Sequence, residues 1–255
     1  RRTGYSQQFN LGVQQQLPNS ILVEVTGIGN ISHKLPNSNL SIDQILPEIL
    51  GPTHQSQKDR PFPQFSNVTI LSPTIGDANY IAGMVRVEKR FSRGFSFVSS
   101  YTYSKFLDNS FEGGSTLGKD NGPYSNYYNR SADWGPSPND IRHRFSFSEV
   151  YELPFGRGKN WFSTGPVAYV VGGWTIGNVT TLQSGAPFTV TTQTNTSNSF
   201  SAGSQRADVS ADPNLPSGQR TVASWFNKSL FIQPALYSFG NQGRDILRGP
   251  GLINV

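Results

Sequence analysis

The chain has 255 residues, of which 15% are charged and none is cysteine, and its formal net charge is +5. These values exclude a disulfide framework and a cysteine-based metal site, and the scattered basic residues form no nucleic-acid-binding patch. Abundant glycine, proline, asparagine, serine and aromatic residues favour an all-β chain with long loops over a helical chain.

The first predicted element is a hairpin whose strands alternate apolar and polar residues. Tyr5–Leu17 forms its first strand, residues 18–20 form a tight turn, and residues 21–28 form the returning strand. Six prolines oppose a long regular element in the loop that follows, residues 32–79. Within this loop, residues 42–50 are consistent with one short helical turn.

A second hairpin shows the clearest alternation in the chain. Residues 80–91 and 95–106 form its strands, and residues 92–94 form a tight turn that contains glycine. A second long loop, residues 107–139, is rich in glycine, asparagine, aspartate, tyrosine and serine. We therefore expect another extended connection here.

The third predicted hairpin begins with a long strand at residues 140–153, which Pro154 and Gly156 end. A connection of medium length, residues 155–173, leads to a sixth strand at residues 174–184. The remaining chain is predicted to be mostly loop, with one short strand at residues 188–192.

Short and long connections thus alternate along the chain, which is typical of outer-membrane β-barrels with short periplasmic turns and longer extracellular loops. Each strand also has two faces. The polar positions predicted to face a lumen are Arg86, Glu88, Arg90, Arg144 and Glu152. The positions predicted to face lipid or an aromatic girdle are Phe95, Phe97, Tyr101, Tyr103, Phe145, Phe147, Tyr151 and Trp174. The same alternation would also fit the solvated face of a soluble all-β domain.

The sequence carries no catalytic or metal-binding signature. Its three histidines lack metal-ligand spacing, and a Gly-x-Ser-x-Gly nucleophile motif is absent. Residues 156–159 contain two glycines and a lysine but lack the other residues of a phosphate-binding loop, so we interpret them as part of a periplasmic turn. The prediction is a protein that is not an enzyme and holds no metal and no cofactor.

The second long loop contains the best candidates for contact with a ligand. Its aromatic side chains offer flat faces beside polar groups, and binding residues are often found on loops held by a rigid scaffold. The candidates are Tyr124, Tyr127, Tyr128 and Trp134. The alternative is that these rings pack on neighbouring parts of the loop.

Several ordered segments carry a family resemblance. They include residues 5–12 with 16–18, 87–92 with 99–105, 142–145 with 151–158, 172–174 with 181–188, 225–227 and 243–251. Together they resemble the TonB-dependent receptors of the Oar-like group. The resemblance covers nearly the whole chain and implies the C-terminal part of a large outer-membrane barrel.

The sequence therefore predicts an all-β antiparallel meander of long strands, which forms a partial segment of a large transmembrane β-barrel with long extracellular loops. We expect residues 1–255 to be a fragment of a single barrel domain, with the plug and the final strand outside it. The implied partners are outer-membrane lipid, the plug of the same full-length chain, the TonB energy-transducing complex through that plug, and an unknown solute. A soluble or surface-exposed β-sandwich that binds carbohydrate or protein is the alternative.

Overall fold

The computed structural model describes residues 2–110, 124–200 and 205–255. Most of the regular structure in these residues is β-strand. The strands are β1 (Tyr5–Leu17), β2 (Ile21–Pro36), β3 (Leu40–Ser41), β4 (Thr69–Ile70), β5 (Thr74–Ser92), β6 (Phe95–Asp108), β7 (Gly135–Pro136), β8 (His143–Glu152), β9 (Thr175–Gln183), β10 (Pro187–Phe188), β11 (Asp208–Val209), β12 (Phe231–Ile232), β13 (Leu247–Arg248) and β14 (Leu252–Asn254). A short α-helix, α1, spans Val167–Val171, and four 3-10 turns span Gln57–Asp59, Arg130–Asp133, Ser217–Gln219 and Lys228–Leu230. No helix among the described residues is long and apolar enough to cross a membrane.

The main sheet is an antiparallel meander in the order β1-β2-β5-β6-β8-β9-β14, with β7 added to β6. Successive long strands pair with their neighbours, so each hairpin lies beside the next in chain order. The predicted all-β antiparallel meander is therefore confirmed. The other described sheets have two strands each, whereas a β-sandwich would need a second extensive sheet against one face of the first.

The strand register assigns the side chains to two faces, because residues directly opposite each other in an antiparallel pair lie on the same side of the sheet. We call one side the aromatic face. Its members include Phe9, Leu11, Val13, Val25, Ile81, Val85, Phe95, Phe97, Tyr101, Tyr103, Phe145, Phe147, Tyr151, Ile176 and Leu182. The opposite side, the polar face, includes Glu24, Arg86, Ser100, Arg144, Ser146, Ser148, Glu152 and Thr181.

Two strands are longer than the sequence predicts. β2 continues to Pro36 and β5 begins at Thr74, so residues expected in the first loop pair with each other instead. Gly29, Asn30 and Asp77 interrupt the apolar alternation there, which hides the extension from a pattern of period two. The prolines that limit the two strands lie at or outside their ends.

Other differences occur near the loops. β8 begins at His143 instead of at residue 140, because the Asp140 carboxylate turns back to accept a hydrogen bond from the Phe106 backbone N–H at 2.7 Å. The helical turn predicted at residues 42–50 is reduced to a single hydrogen-bonded turn, in which Ile49 N donates to Leu46 O at 3.2 Å. The rest of the segment is irregular and pairs with distant backbone, as in the 3.0 Å bond from Ile45 N to Ser199 O. Helix α1 and strand β14 were not expected.

Little apolar volume is enclosed within the described residues. The buried hydrophobic cluster consists of Leu40 and Tyr124, with Ile42, Ile75 and Tyr127 packed against it. This cluster belongs to the loops, whereas many large hydrophobic side chains of the sheet are exposed. The sheet is thus a single-layer wall, and its compact packing lies at one end.

Candidate functional site

The three long connections lie at the same end of the sheet, since they join strands whose other ends meet in short or medium turns. We call them together the loop cap, which comprises residues 37–73, 109–110 with 124–142, and 184–200 with 205–251. Contacts between the three connections hold the cap together. The Tyr128 hydroxyl donates to Gln44 O at 3.0 Å, and Arg206 Nη1 donates to Ala132 O at 3.0 Å.

A buried ion pair organises the first connection of the cap. Arg60 Nη2 lies 3.1 Å from Asp43 Oδ2, and both side chains are almost fully buried. Asp43 also accepts a hydrogen bond from Phe62 N at 2.9 Å, while the guanidinium of Arg60 lies 4.6 Å from the centre of the Phe200 ring. Phe200 belongs to the third connection, so the same arginine joins the first connection to the third.

Three further arginines fix the third connection onto the rest of the protein. Arg244 Nη1 lies 2.5 Å from Asp108 Oδ1 at the end of β6, and Arg206 Nη1 lies 3.0 Å from Asp133 Oδ1 in the second connection. Arg248 pairs with Asp140. The six side chains are, in chain order, Asp108, Asp133, Asp140, Arg206, Arg244 and Arg248. Because at least one partner of every pair is buried, these contacts depend on accurate placement of both groups.

Burial raises the pKa of two carboxyl groups in the cap. The pKa of Asp133 is raised by desolvation, against which Arg206 and Arg244 act. The pKa of Asp245 is also raised by desolvation, although its Oδ1 accepts a hydrogen bond from Thr189 Oγ1 at 2.7 Å. Both groups therefore carry their charge at a cost in free energy.

The aromatic residues predicted to contact a ligand occupy different environments. Tyr124 is only 2% exposed and its hydroxyl donates to Asn109 O at 3.1 Å; burial raises its pKa to about 12. Tyr127 is half-buried and lies against Tyr128, with the ring centres 5.1 Å apart. Tyr128 and Trp134 are exposed. Residues 111–123 of the predicted ligand loop lie outside the described residues.

The polar face carries an ion-pair cluster where β2 pairs with β5. Arg86 Nη2 lies 2.7 Å from Glu88 Oε2, and Arg86 Nη1 lies 3.9 Å from Glu24 Oε2. Glu24 was absent from the predicted set, although pairing the first two hairpins would have placed it opposite Arg86. The cluster joins β2 to β5 on the polar side.

The other predicted polar residues do not join this cluster. Glu152 pairs with Lys159 of the turn at 2.7 Å. Arg144 lies opposite Thr102 and Gln183 in the sheet, and Arg90 N donates to Ser20 O near the first turn. The predicted lumen-facing charges are therefore distributed along the wall.

Ring contacts continue across the aromatic face. Phe95 and Tyr151 have ring centres 6.0 Å apart, as have Phe97 and Phe147. Nearer the cap, the Tyr101 hydroxyl and His143 Nδ1 are within hydrogen-bonding distance at 2.7 Å. The face thus presents apolar rings with polar tips near the cap, the arrangement that suits a membrane boundary.

No cluster of three or more histidine, cysteine, aspartate or glutamate side chains within the described ranges could hold a metal ion. The chemistry that the described groups provide is therefore polar and aromatic contact at the cap, charge on one face of the wall, and apolar contact on the other face.

A family model described as outer membrane beta barrel domain matches residues 1–255. No curated protein matches the chain. The matched range includes the complete wall and the complete cap.

Proposed function

Because this chain belongs to the outer membrane beta barrel domain family, we propose that it forms part of the wall and mouth of a TonB-dependent transporter. The family places the protein in the bacterial outer membrane, in association with outer-membrane lipid. The proposed activity is uptake of a solute through the barrel, with energy supplied by the TonB complex through a plug on the same full-length chain.

In this proposal the aromatic face contacts lipid and the polar face lines the lumen. Exposed Phe9, Leu11, Ile81 and Tyr103 on one side of the sheet support this orientation, because contact with lipid removes the cost of hydrating such side chains. The Arg86 cluster on the other side provides charges that a plug or a solvated lumen can accommodate.

The loop cap is the observation that carries the proposal. Three connections converge at one end of the wall and are held by buried ion pairs and by contacts between them, such as Arg60 on the Phe200 ring, so they present a fixed surface at that mouth. Exposed Tyr128 and Trp134 are the proposed solute-contacting residues. Tyr127 supports the Tyr128 ring, and buried Tyr124 holds the loop beneath them.

The first experiment tests the barrel and its energy coupling on the full-length protein. Outer-membrane fractions are examined for a mobility shift between boiled and unboiled samples, and the purified protein is mixed with the periplasmic domain of TonB from the same organism. We expect a heat-dependent shift and a complex with TonB. A shift without a complex would remove TonB coupling but retain the barrel.

A second experiment tests uptake. A gene-deletion strain is grown with casein peptides, maltodextrin or ferric citrate as the limiting nutrient, and the full-length gene is then restored. We expect one nutrient to require the gene, and Tyr128→Ala with Trp134→Ala to reduce growth on it while the protein level is unchanged. Equal growth of the deletion and parent strains on all three would contradict uptake of these solute classes.

A further inference from the structure

The connection between β8 and β9 has more structure than a simple turn needs. It lies at the end of the wall opposite the loop cap and contains α1 (Val167–Val171). Glycine contacts define its shape: a Cβ on Gly156, whose φ is +99°, would lie 2.3 Å from Gly172 Cα, and a Cβ on Gly172 would lie 2.5 Å from Ala168 O. The helix is therefore held closely against the turn.

This connection exposes an unusual amount of apolar surface. Six of its large side chains are more than half exposed, and we call them the turn-end patch: Trp161, Phe162, Val167, Tyr169, Val170 and Trp174. Exposed apolar side chains of this number in one short connection mark a site that another molecule or a membrane covers.

The patch continues the aromatic face. Trp174 precedes β9 by one residue and has the same parity as Ile176, which lies opposite Tyr151 on the aromatic face. Trp174 Nε1 donates to Val170 O at 3.0 Å, so the tryptophan on that side of the sheet contacts α1 directly. The helix consequently lies beside the proposed lipid-contacting surface.

A basic side chain, Arg157, lies beside the turn-end patch. Arg157 is exposed, its guanidinium lies 4.2 Å from the centre of the Tyr169 ring, and it also hydrogen-bonds to the Tyr169 hydroxyl. Stacking orients the guanidinium at the border of the apolar patch and leaves further N–H donors for an anion. Nearby Lys159 is different, because its charge is paired with Glu152.

We propose that the turn-end patch is an interfacial anchor that inserts among the headgroups of anionic phospholipids in the periplasmic leaflet, with Arg157 binding a lipid phosphate. The proposal rests on the membrane orientation given above. Tryptophan and tyrosine favour the boundary between headgroups and acyl chains, and a basic side chain beside them favours anionic lipid. Short turns of outer-membrane barrels lie on the periplasmic side, which assigns the leaflet.

The test uses the full-length protein in a background without other cysteines, labelled with an environment-sensitive fluorophore at one introduced cysteine. The protein is reconstituted in phosphatidylcholine vesicles with or without phosphatidylglycerol. Some lipids carry a nitroxide quencher near the glycerol, and others carry one along the acyl chain. The labelled variants are Val170→Cys in the patch, Val85→Cys on the aromatic face and Val222→Cys in the loop cap.

We expect quenching at Val170→Cys and Val85→Cys but not at Val222→Cys. Quenching at Val85→Cys without quenching at Val170→Cys would overturn the anchor and leave the barrel intact. The same result is expected if the patch binds a periplasmic protein in the cell and not lipid, because the patch would then stay out of the bilayer in these vesicles. Quenching at neither position would overturn both the anchor and the proposed barrel orientation.

The charge of Arg157 is tested with the same probe at Val170→Cys. We expect Arg157→Gln to lower the preference of the patch for phosphatidylglycerol over phosphatidylcholine by about fivefold, which corresponds to about 1 kcal/mol for one basic residue at an anionic surface. The preference is measured by following the fluorescence at Val170→Cys as the share of phosphatidylglycerol in the vesicles is raised. Arg157→Lys should retain most of the preference. Arg220→Gln is the matched control, because Arg220 also lies over an aromatic ring but belongs to the cap. An equal loss in Arg157→Gln and Arg220→Gln would contradict the assigned phosphate contact.

Discussion

At the scale of single residues, the loop cap depends on charges placed in buried surroundings. Arg244 and Asp108 are both almost completely removed from solvent, and Arg244 Nε also lies 3.5 Å from Asp245 Oδ2, so removal of the arginine would take a partner from two buried carboxylates. An ion pair of this kind has a small net effect on stability when intact but a large effect when one partner is removed. The cap therefore depends on these side chains more than on its sparse apolar core.

Arg244→Ala should destabilise the cap by about 3–5 kcal/mol, because it leaves the carboxylate of Asp108 buried without this partner. Hydrogen exchange of the third connection in the full-length protein measures the effect. Lys159→Ala is the control, since its pair with Glu152 is partly exposed and should contribute less than about 1 kcal/mol. Similar exchange in the two variants would show that the buried pair does not stabilise the cap.

The raised pKa values of Asp133 and Asp245 predict a direction for the effect of pH. A carboxyl group whose pKa is higher in the folded cap than in the unfolded chain binds protons more tightly when folded. Its contribution to stability is therefore greatest below the unfolded pKa and decreases as pH rises through the folded pKa. Proteolysis of the cap at a series of pH values above about 4 should show this decrease.

Asp245→Asn should weaken the pH dependence by removing one of the two titrating groups. The amide can still accept the hydrogen bond from Thr189, so the fold of the segment should be retained. Unchanged pH dependence in this variant would exclude Asp245 as a source of the effect.

At the scale of elements, register determines which substitutions the wall tolerates. The Phe9 ring lies across Gly29 of the neighbouring strand, and a Cβ on Gly29 would come within 2.0 Å of that ring. Gly83 lies on the same face but has nothing within 4 Å of the corresponding position. Two glycines in similar strands thus have different roles.

Gly29→Val should destabilise the pairing of β1 with β2 by about 1–3 kcal/mol, because Phe9 must leave its position. Gly83→Val is the matched control and should be neutral or slightly stabilising, since valine favours strands and meets open space. Urea titration of both full-length variants in detergent compares them. Equal destabilisation would mean that loss of glycine itself, and not the ring contact, is responsible.

The long strands were largely predictable, and the smaller elements were not. Strong alternation between Phe95 and Phe106 identified β6, because a wall with unlike faces requires a period of two. Helix α1 has only five residues, too few for a helical period to appear. β14 forms because three residues near the end of the chain pair with the edge of β9, which is distant in sequence. Local sequence patterns do not predict such long-range pairing.

The cap was likewise only partly predictable from local sequence. Aromatic residues of the second connection were identified from composition, but the sequence did not predict that Tyr124 is buried while Tyr128 is exposed. The arginine–aspartate pairs were also missed, since their partners are far apart in the chain. Only Glu24 beside Arg86 could have been derived, by aligning the two hairpins.

At the scale of the whole molecule, the wall is a single layer with unlike faces, and the proposed orientation puts lipid on one side of it and the lumen on the other. Substitution of two adjacent residues on one strand by the same charged residue should therefore have opposite effects on membrane assembly. Phe147 lies on the aromatic face, and Ser148 lies on the polar face.

Phe147→Arg should oppose membrane assembly, because arginine facing lipid costs about 2–4 kcal/mol near the bilayer centre. Ser148→Arg adds the same charge to the polar face and should assemble normally. The heat-dependent mobility of the full-length variants provides the measurement. Normal assembly of Phe147→Arg together with failure of Ser148→Arg would reverse the assignment of the two faces.

The ion pairs of the cap also constrain the order of folding. Arg244 and Asp108 are 136 positions apart, and Arg248 and Asp140 are 108 positions apart. Closing such long loops is entropically costly until the intervening strands have paired and brought their ends together. If the cap faces the cell exterior as proposed, the connections should cross the membrane while still hydrated and not yet joined to one another, and the ion pairs should form only afterwards. Formation of the cap would then be a late folding step, because its ion pairs can form only after the strands have paired in the correct order.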